Sequence, residues 1–202
     1  GFSFAGKQLN FDDPRSKLFF EFVRLKDEIN PGFFILENVR MKQESQDIIS
    51  KYLGVEPTLI NSALVSGQNR NRLFWTNIPF NLPEDKGIIL ADILENGITD
   101  RQKSHCLDAN YFKGGNLKSY FEKHRRQLVF KEFLKDDWPL LDHAKSKYLS
   151  HLSFRKLTPL ECERLQTVPD NYTNHVSNTQ RYKMLGNGFT VDVVAHILKG
   201  LH

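Results

Sequence analysis

The 202-residue sequence predicts an α/β protein whose first part contains a mostly parallel β-sheet and whose second part is smaller and irregular. Three short segments rich in apolar residues are typical of buried strands and lie at residues 33–36, 58–60 and 73–75. The amphipathic segment 43–53 lies between the first two and predicts a helix, which Gly54 is suited to end. Strand, helix and strand in this order are typical of a βαβ unit, which implies parallel strands and a right-handed crossover.

Helices are also predicted near both ends of the chain. Residues 15–29 repeat apolar side chains at helical spacing, and Asp12-Asp13-Pro14 is a plausible helix start. Residues 191–201 are apolar at Val, Ile and Leu positions and predict a terminal helix. Gly186-Asn187-Gly188 precedes that helix, and we expect it to form a flexible turn that opens toward the helix N-terminus.

A further helix start is visible at Thr158-Pro159-Leu160-Glu161. Thr158 is suited to cap the helix, Pro159 fits the first helical position, and Glu161 stands three residues after the cap. We expect this helix to continue through Gln166.

Composition excludes several classes of protein. The 28 basic and 24 acidic residues give a net charge of +4, which is only a mild indication of binding to polyanions. Two cysteines, Cys106 and Cys162, do not make a disulfide framework, and a reducing cytosol is therefore the expected compartment. No stretch of 18 apolar residues and no signal-peptide pattern is present, so no membrane partner is expected.

Positive charge is concentrated in the irregular region, residues 80–150. Residues 101–135 contain nine Lys or Arg against three acids, a local charge of +6. Aromatic side chains lie among these charges, at Tyr111, Phe112, Tyr120 and Phe121. The pattern is compatible with an ordinary solvated basic face and equally with a face that contacts phosphates.

Five segments, taken together, resemble motifs of the DNA (cytosine-5) methyltransferases, and they occur in that family's order. They are Gly1-Phe2-Ser3-Phe4-Ala5-Gly6, Glu37-Asn38-Val39, Gln68-Asn69-Arg70-Asn71-Arg72, the segment Arg155 to Gln166, and Gly186-Asn187-Gly188-Phe189. The last segment departs from the family's common Gly-Asn-Ser-Val at Gly188 and Phe189. The resemblance implies a partial Rossmann-like methyltransferase sheet and transfer of a methyl group from S-adenosylmethionine to a flipped cytosine through a covalent cysteine intermediate.

The resemblance also implies roles for residues of the second and third motifs. Glu37 would be a protonated acid hydrogen-bonded to N3 of the cytosine, its pKa raised by burial, and Arg72 would donate to O2. The supporting residues implied by the same motifs are Asn38, Val39, Gln68 and Arg70. Asn38 is expected to fix the nucleophile loop, and Gln68 and Arg70 to order their own loop or to meet phosphate.

The cofactor site implied by the resemblance is incomplete in this sequence. Asn187, Gly188 and Phe189 would border S-adenosylmethionine, with backbone contact only at the two departures, and Leu18 would pack on its adenine. The family's Phe-x-Gly-x-Gly motif is absent, and its Pro-Cys-Gln would stand just before Gly1. We therefore expect a C-terminal part of a methyltransferase, inactive alone, that requires an N-terminal portion or split-enzyme subunit, or self-associates through an unpaired sheet edge.

The DNA partner implied by the resemblance is a duplex, with the target base held in a cleft beside a DNA-reading lobe. The residues expected to contact DNA are Ser3, Asn110, Tyr111, Lys113, Asn116, Arg125, Arg126 and Arg155. Asn110–Asn116 is the candidate base-reading loop, with an ordinary surface turn as the alternative. The implied domains are residues 1–79 for the second part of the catalytic domain, 80–180 for target recognition, and 181–202 for a helix returning to the catalytic domain.

Two other functions remain open from the sequence. One is a non-catalytic DNA-binding or regulatory relative, and the other is a transfer-RNA cytosine methyltransferase of the same fold. The expected setting is a bacterial or phage-encoded cytoplasmic protein associated with the nucleoid, with restriction–modification as one possible role. No metal site is expected.

Overall fold

The computed structural model describes residues 17–132 and 153–201, which form two compact units. Unit 1 comprises Asn71–Leu82 and the described parts of Gly1–Asn61 and His196–His202. Unit 2 comprises Ser62–Arg70 and the described parts of Pro83–Ala195. Predictions for the first motif, including Ser3, and for the helix start at Asp12 lie outside the described residues.

Unit 1 follows the order of elements predicted from the sequence. Its helices and strands are α1 (Lys17–Ile29), β1 (Ile35–Val39), α2 (Gln43–Leu53), β2 (Thr58–Asn61) and β3 (Asn71–Thr76). Gly54 ends α2 as predicted, with a φ of 72° and an N–H that donates to the Ser50 carbonyl at 2.8 Å. β1 begins later than the predicted segment and extends through Val39, so Glu37 lies inside the strand and not just past it.

The prediction of parallel strand pairing is not confirmed. The strand order is β1-β3-β2, and both pairs are antiparallel. β1 and β2, which α2 connects, do run in the same direction, but β3 lies between them. The connection from β2 to β3 spans only residues 62–70, shorter than the dozen or more residues that a parallel crossover needs, so β3 returns in the opposite direction.

Helices α1 and α2 cover one face of this sheet. Their contact buries the cluster Phe19, Val23, Met41, Ile49, Leu53, Leu73 and Trp75. The Trp75 indole is fully buried, and its Nε1 donates to Ser50 Oγ at 3.0 Å, which ties β3 to α2. Because side chains alternate along a strand, Arg72 and Phe74 point to the opposite face of the sheet.

Unit 2 consists of short elements joined by long irregular segments. Its helices and strands are α3 (Leu117–Phe121), β4 (Leu128–Phe130), β5 (Phe154–Lys156), α4 (Pro159–Leu165), α5 (Asn178–Asn187) and the first part of α6 (Val191–Leu198). β4 and β5 pair antiparallel, and a 3₁₀ turn at Tyr111–Lys113 packs against α5.

The capping box predicted for α4 is confirmed. The Glu161 N–H donates to Thr158 Oγ1 at 3.1 Å, and the Thr158 N–H donates to Glu161 Oε2 at 2.8 Å. Pro159 occupies the first helical turn, as its fixed φ and missing N–H favour.

The flexible turn predicted at Gly186-Asn187-Gly188 is wrong for its first two residues. Gly186 and Asn187 form the last turn of α5, and Gly188 is the residue that ends the helix. Gly186 is required there by packing, since a Cβ at this position would lie 2.2 Å from the Asp108 carbonyl carbon and 2.3 Å from the Ala109 nitrogen.

Across the part of the chain that the structure describes, no helix combines the length and the apolar character needed to cross a membrane.

Candidate functional site

The structure brings together the two residues that the methyltransferase resemblance assigns to the cytosine. Arg72 Nε lies 2.7 Å from Glu37 Oε1, and the two side chains are 15% and 18% exposed. In the β1–β3 register, Glu37 stands opposite Phe74 and Arg72 stands opposite Val39. Glu37 and Arg72 are therefore diagonal neighbours across an antiparallel pair, close enough for long side chains to meet.

The charge state that this contact favours differs from the one the resemblance implies. An opposite charge at hydrogen-bond distance stabilises the carboxylate of Glu37, whereas the implied role needs a protonated acid. Arg72 is also oriented by its own strand, because its Nη1 donates to the Asn71 carbonyl at 2.8 Å. The pair is thus a preformed arrangement of one acid and one guanidinium on neighbouring strands.

The neighbours of Glu37 in its motif have local roles in this structure. Asn38 Oδ1 accepts from the Val39 N–H at 2.8 Å, and Val39 pairs with Arg72 in the sheet. The predicted contact of Asn38 with the nucleophile loop involves residues 1–6, which lie outside the described ranges.

Gln68 is a buried connector between loops. Its Nε2 donates to the Leu165 carbonyl at 2.7 Å and to Gln166 Oε1 at 2.9 Å, and its Oε1 accepts from the Leu107 N–H at 3.3 Å. The side chain is fully buried. Of the two predicted roles for Gln68, the structure therefore supports loop ordering and leaves no surface for a phosphate.

Arg70 is also a buried side chain that connects loops. Its Nη1 donates to the Leu107 carbonyl at 2.9 Å, and its Nη2 donates to the Gly188 carbonyl at 2.8 Å and the Gly186 carbonyl at 3.4 Å. The residue is buried, so its cation serves the carboxyl end of α5 and not a phosphate.

Gln166 completes this polar group and was not singled out by sequence reasoning. Its Nε2 donates to the carbonyls of Leu185 and Gly188, and its Oε1 accepts from Thr190 Oγ1 at 3.0 Å. The one feature of the sequence that could have identified Gln166 is its position directly after α4, at the end of the fourth motif. Gln68, Arg70 and Gln166 together hold the turn that ends α5, and we call them the buried polar hub.

The hub changes the prediction for Gly188. Its N–H donates to the Met184 carbonyl at 2.8 Å, and its carbonyl accepts from Arg70 and Gln166. Both backbone groups are used internally, which argues against the predicted backbone contact with a cofactor. Asn187 is exposed and Phe189 is 50% exposed, so their side chains remain the candidates at this turn.

The described residues fit only the border of an S-adenosylmethionine site. The two exposed side chains at Asn187 and Phe189 can flank a ligand, but neither supplies the cradle of backbone amides that a glycine-rich loop offers a nucleotide. Leu18 lies on α1 with its side chain 71% exposed, and its predicted contact with adenine stays a prediction.

Two of the residues predicted to contact DNA have internal partners in unit 2. Tyr111 is 1% exposed, and its hydroxyl donates to the Gln127 carbonyl at 2.5 Å and accepts from the Leu157 N–H at 2.8 Å. Arg155 binds the buried carboxylate of Glu161 through both Nη atoms at 2.7–2.8 Å. Burial argues against the DNA contact predicted for Tyr111, and the DNA contact of the partly exposed Arg155 stays a prediction.

The remaining predicted DNA contacts lie at the surface. Asn110, Lys113, Asn116 and Arg125 are exposed, and Arg126 is half-buried with its Nη1 donating to the Gly114 carbonyl at 3.2 Å. Asn116 also caps α3, since its Oδ1 accepts from the Ser119 N–H at 2.8 Å. These residues are available to a ligand, and their role in DNA binding stays a prediction.

The two cysteines differ in their surroundings. Cys162 is fully buried, and burial raises the pKa of its thiol well above the ordinary value, which disfavours the reactive thiolate. Cys106 is half-buried beside the Arg70 guanidinium, at 3.4 Å from Nη1. Within residues 17–132 and 153–201, no group of three His, Cys, Asp or Glu side chains is arranged to hold a metal ion.

Comparison with solved structures gives the fold. The chain aligns with the Entamoeba histolytica methyltransferase EhMeth with a TM-score of 0.66 at 16% identity, covering 95% of this chain and 69% of that one. It aligns with the S. pombe Dnmt2 methyltransferase with a TM-score of 0.60 at 16% identity, covering 93% and 72%. The α/β fold is therefore shared with methyltransferases.

Comparison of sequences gives the family. The chain is 28% identical to the type II methyltransferase M1.ScrFI of Lactococcus lactis subsp. cremoris, over 96% of this chain and 57% of that protein. It is 27% identical to the type II methyltransferase M.HpaII of Haemophilus parainfluenzae, over 96% and 66%. The chain thus spans between half and two thirds of the length of these relatives. The family model described as C-5 cytosine-specific DNA methylase matches residues 1–82 and 42–202. The resemblance seen in the motifs is confirmed, and the chain belongs to the C-5 cytosine-specific DNA methylase family.

Proposed function

We propose that this chain carries the cytosine-holding part of a DNA cytosine-C5 methyltransferase site, formed by Glu37 and Arg72. The observation that supports the proposal is the contact between Arg72 Nε and Glu37 Oε1 at 2.7 Å. It joins an acid and a planar cation on the sheet face opposite to α1 and α2, where both side chains keep some exposure to an incoming ligand.

The two groups suit the chemistry of methylation at C5. When a thiolate forms a bond to C6 of cytosine, an electron pair moves from the ring double bond toward N3 and O2, and C5 becomes nucleophilic. C5 then gains a methyl group, loses its proton, and the bond between sulfur and C6 breaks. S-adenosylmethionine supplies the methyl group when bound. Arg72 stabilises the charge at O2, and a protonated Glu37 donates to N3.

Arrival of the base requires the Glu37–Arg72 pair to separate. O2 of the base replaces the carboxylate as the partner of Arg72, and Glu37 takes up a proton before it donates to N3. Before the base binds, the contact between Glu37 and Arg72 therefore keeps both side chains at their positions. A positioned acid–base group of this kind contributes about 10²–10⁴-fold in rate.

The nucleophile and most of the cofactor site belong, in this proposal, to a polypeptide portion that corresponds to the additional length of the relatives. That portion is either continuous with this chain or a separate subunit, and the chain alone is inactive or self-associates. Double-stranded DNA is the proposed substrate, with the target cytosine flipped out of the duplex.

The proposal is tested with Glu37→Gln in the protein assembled with that portion. Methyl transfer should fall by about 10²–10⁴-fold, while affinity for duplex DNA stays close to that of the parent because phosphate contacts dominate binding. Glu44→Gln is the matched control, since Glu44 is an exposed residue of α2 in the same unit. Unchanged turnover in Glu37→Gln would remove this residue from the mechanism.

The substrate is settled by a second measurement on the same assembly. Transfer of labelled methyl groups to duplex DNA and not to transfer RNA supports the DNA assignment. Transfer to RNA alone would replace it with the transfer-RNA alternative, and binding to DNA without any transfer would favour the regulatory one.

A further inference from the structure

Three lysines that are distant in the sequence meet at one aromatic residue of unit 2. The Nζ atoms of Lys113 and Lys183 lie 5.8 Å and 5.3 Å from the centroid of the Phe112 ring. The Nζ of Lys156 donates to the Phe112 carbonyl at 3.2 Å. We call Lys113, Lys156 and Lys183 the Phe112 lysine cluster.

The fold fixes this arrangement from three separate elements. Lys113 belongs to the 3₁₀ turn at Tyr111–Lys113, Lys156 ends β5, and Lys183 lies on α5. The missing side chain at Gly186 lets α5 approach the backbone just before that turn, which brings Lys183 to Phe112. Lys156 is held further by the ring of Tyr182, whose centroid is 4.7 Å from its Nζ.

The positive charge of the cluster has no carboxylate partner within the described residues. Among the residues that the structure describes, no carboxylate forms an ion pair with any of the three lysines; the neighbouring acids Glu161 and Glu163 are paired with Arg155 and Arg181. Aromatic rings attract ammonium groups but carry no net charge. Three like charges gathered around one residue repel one another and create a potential that an anion would relieve.

We propose that the Phe112 lysine cluster binds neighbouring phosphates of the DNA backbone. This inference rests on the proposed function for the choice of duplex DNA as the ligand. Ammonium groups act as point charges without the planar fork that reads a base edge, so the cluster contributes affinity and orientation and no sequence preference. Only Lys113 falls in the basic stretch visible in the sequence, because Lys156 and Lys183 join it through the fold.

The test is the salt dependence of duplex binding by Lys113→Gln/Lys183→Gln. Both residues are exposed, so the double variant should fold like the parent. Each lost phosphate contact lowers the slope of log K against log[salt] by about 0.9, and the double variant should therefore lose about 1.8. The probe is a short fluorescent duplex of mixed sequence, titrated with the chain at several KCl concentrations, and a duplex of unrelated sequence should show the same loss.

Two matched variants make the result specific. Lys118→Gln/Lys123→Gln removes the same charge from exposed positions of the same region outside the cluster and should leave the slope nearly unchanged. Lys113→Arg/Lys183→Arg keeps the charge and should keep the slope. Equal losses in the two glutamine pairs, or no loss in the cluster pair, would overturn the proposal.

Failure of this inference is separable from failure of the proposed function. A cluster variant with the parent slope, and with normal methyl transfer when assembled with the nucleophile-bearing portion, would reject the cluster and leave the enzyme assignment intact. Binding of duplex RNA in strong preference to duplex DNA would overturn both the ligand proposed for the cluster and the proposed DNA substrate.

Discussion

Removal of the Arg70 guanidinium should destabilise unit 2 and loosen the turn that ends α5. Arg70 donates to the carbonyls of Leu107 at 2.9 Å and Gly188 at 2.8 Å, and more weakly to Gly186 at 3.4 Å. The Gly186 carbonyl is among the last four of α5, which have no partner within the helix. Arg70→Met keeps the apolar length of the side chain and leaves these carbonyls without the donor.

The size of the effect follows from the two short hydrogen bonds. A bond that involves a charged group contributes about 1.5–3 kcal/mol, so two of them predict a loss of about 3–6 kcal/mol in the free energy of unfolding. Arg70→Lys keeps the charge but offers one compact ammonium in place of a fork, and we expect it to lose about 1.5–3 kcal/mol. Either value is a large part of the total stability of a domain.

Urea denaturation followed by circular dichroism measures these losses, with Arg125→Met as the control. Arg125 is exposed and stands 3.8 Å from Asp108, a contact that contributes little, so this control should stay within about 0.5 kcal/mol of the parent. Hydrogen exchange of the Val191 amide, which donates to the Gln166 carbonyl at 3.0 Å, gives a local readout and should accelerate in Arg70→Met. A loss below about 1 kcal/mol with unchanged exchange would show that Arg70 does not organise this turn.

Two further outcomes follow from buried positions of unit 2. Gly186→Ala should lower the free energy of unfolding by about 3 kcal/mol or more, because the added Cβ would lie 2.2 Å from the Asp108 backbone. Gly32→Ala is the control, since a Cβ there would have nothing within 4 Å, and it should be nearly neutral in the same urea titration. For Glu163, burial raises the pKa of the carboxyl, but hydrogen bonds from Thr173, Arg181 and Asn171 outweigh it and leave the pKa below its ordinary value. That contribution to stability is present above the unfolded-state pKa of about 4.3 and is lost as the pH falls through the lower folded-state value. Glu163→Gln should reduce the loss of unfolding free energy that accompanies this fall in pH. An unchanged loss would exclude Glu163 as its source.

Helices α1, α2 and α4 were predictable because their signals are local. The apolar spacing of α1, the Gly54 cap of α2 and the capping box of α4 each depend on residues within one or two turns, and the structure confirms them. Strand pairing depends on residues far apart, and an apolar run alone does not reveal its neighbour or its direction. The short connection between β2 and β3 was the one local signal for antiparallel pairing.

The candidate site was predictable only in part, for a related reason. Motif order placed Glu37 and Arg72 in one site, and the β1–β3 register brings them into contact. Whether the other predicted site residues can contact a ligand depends on their burial, and burial is set by the fold. Tyr111 stands in a basic stretch that suggests a surface, yet its ring lies in the interior of unit 2. Gln166 stands in a helical motif that suggests packing, yet its amide orders the turn at Gly188.

Accessibility distinguishes the Glu37–Arg72 pair from the two pairs of unit 2 whose carboxylates are fully buried. Glu161 and Glu163 are fully buried, and each accepts backbone N–H groups in addition to its arginine. Such carboxylates have no approach for a ligand, and breaking their contacts would leave a buried charge unpaired. Glu37 and Arg72 have the same chemistry at two neighbouring strands but retain partial exposure, so an incoming base can take over their hydrogen bonds. The same pairing of residue types therefore stabilises the fold of unit 2 and, in unit 1, forms the pair that we propose receives the cytosine.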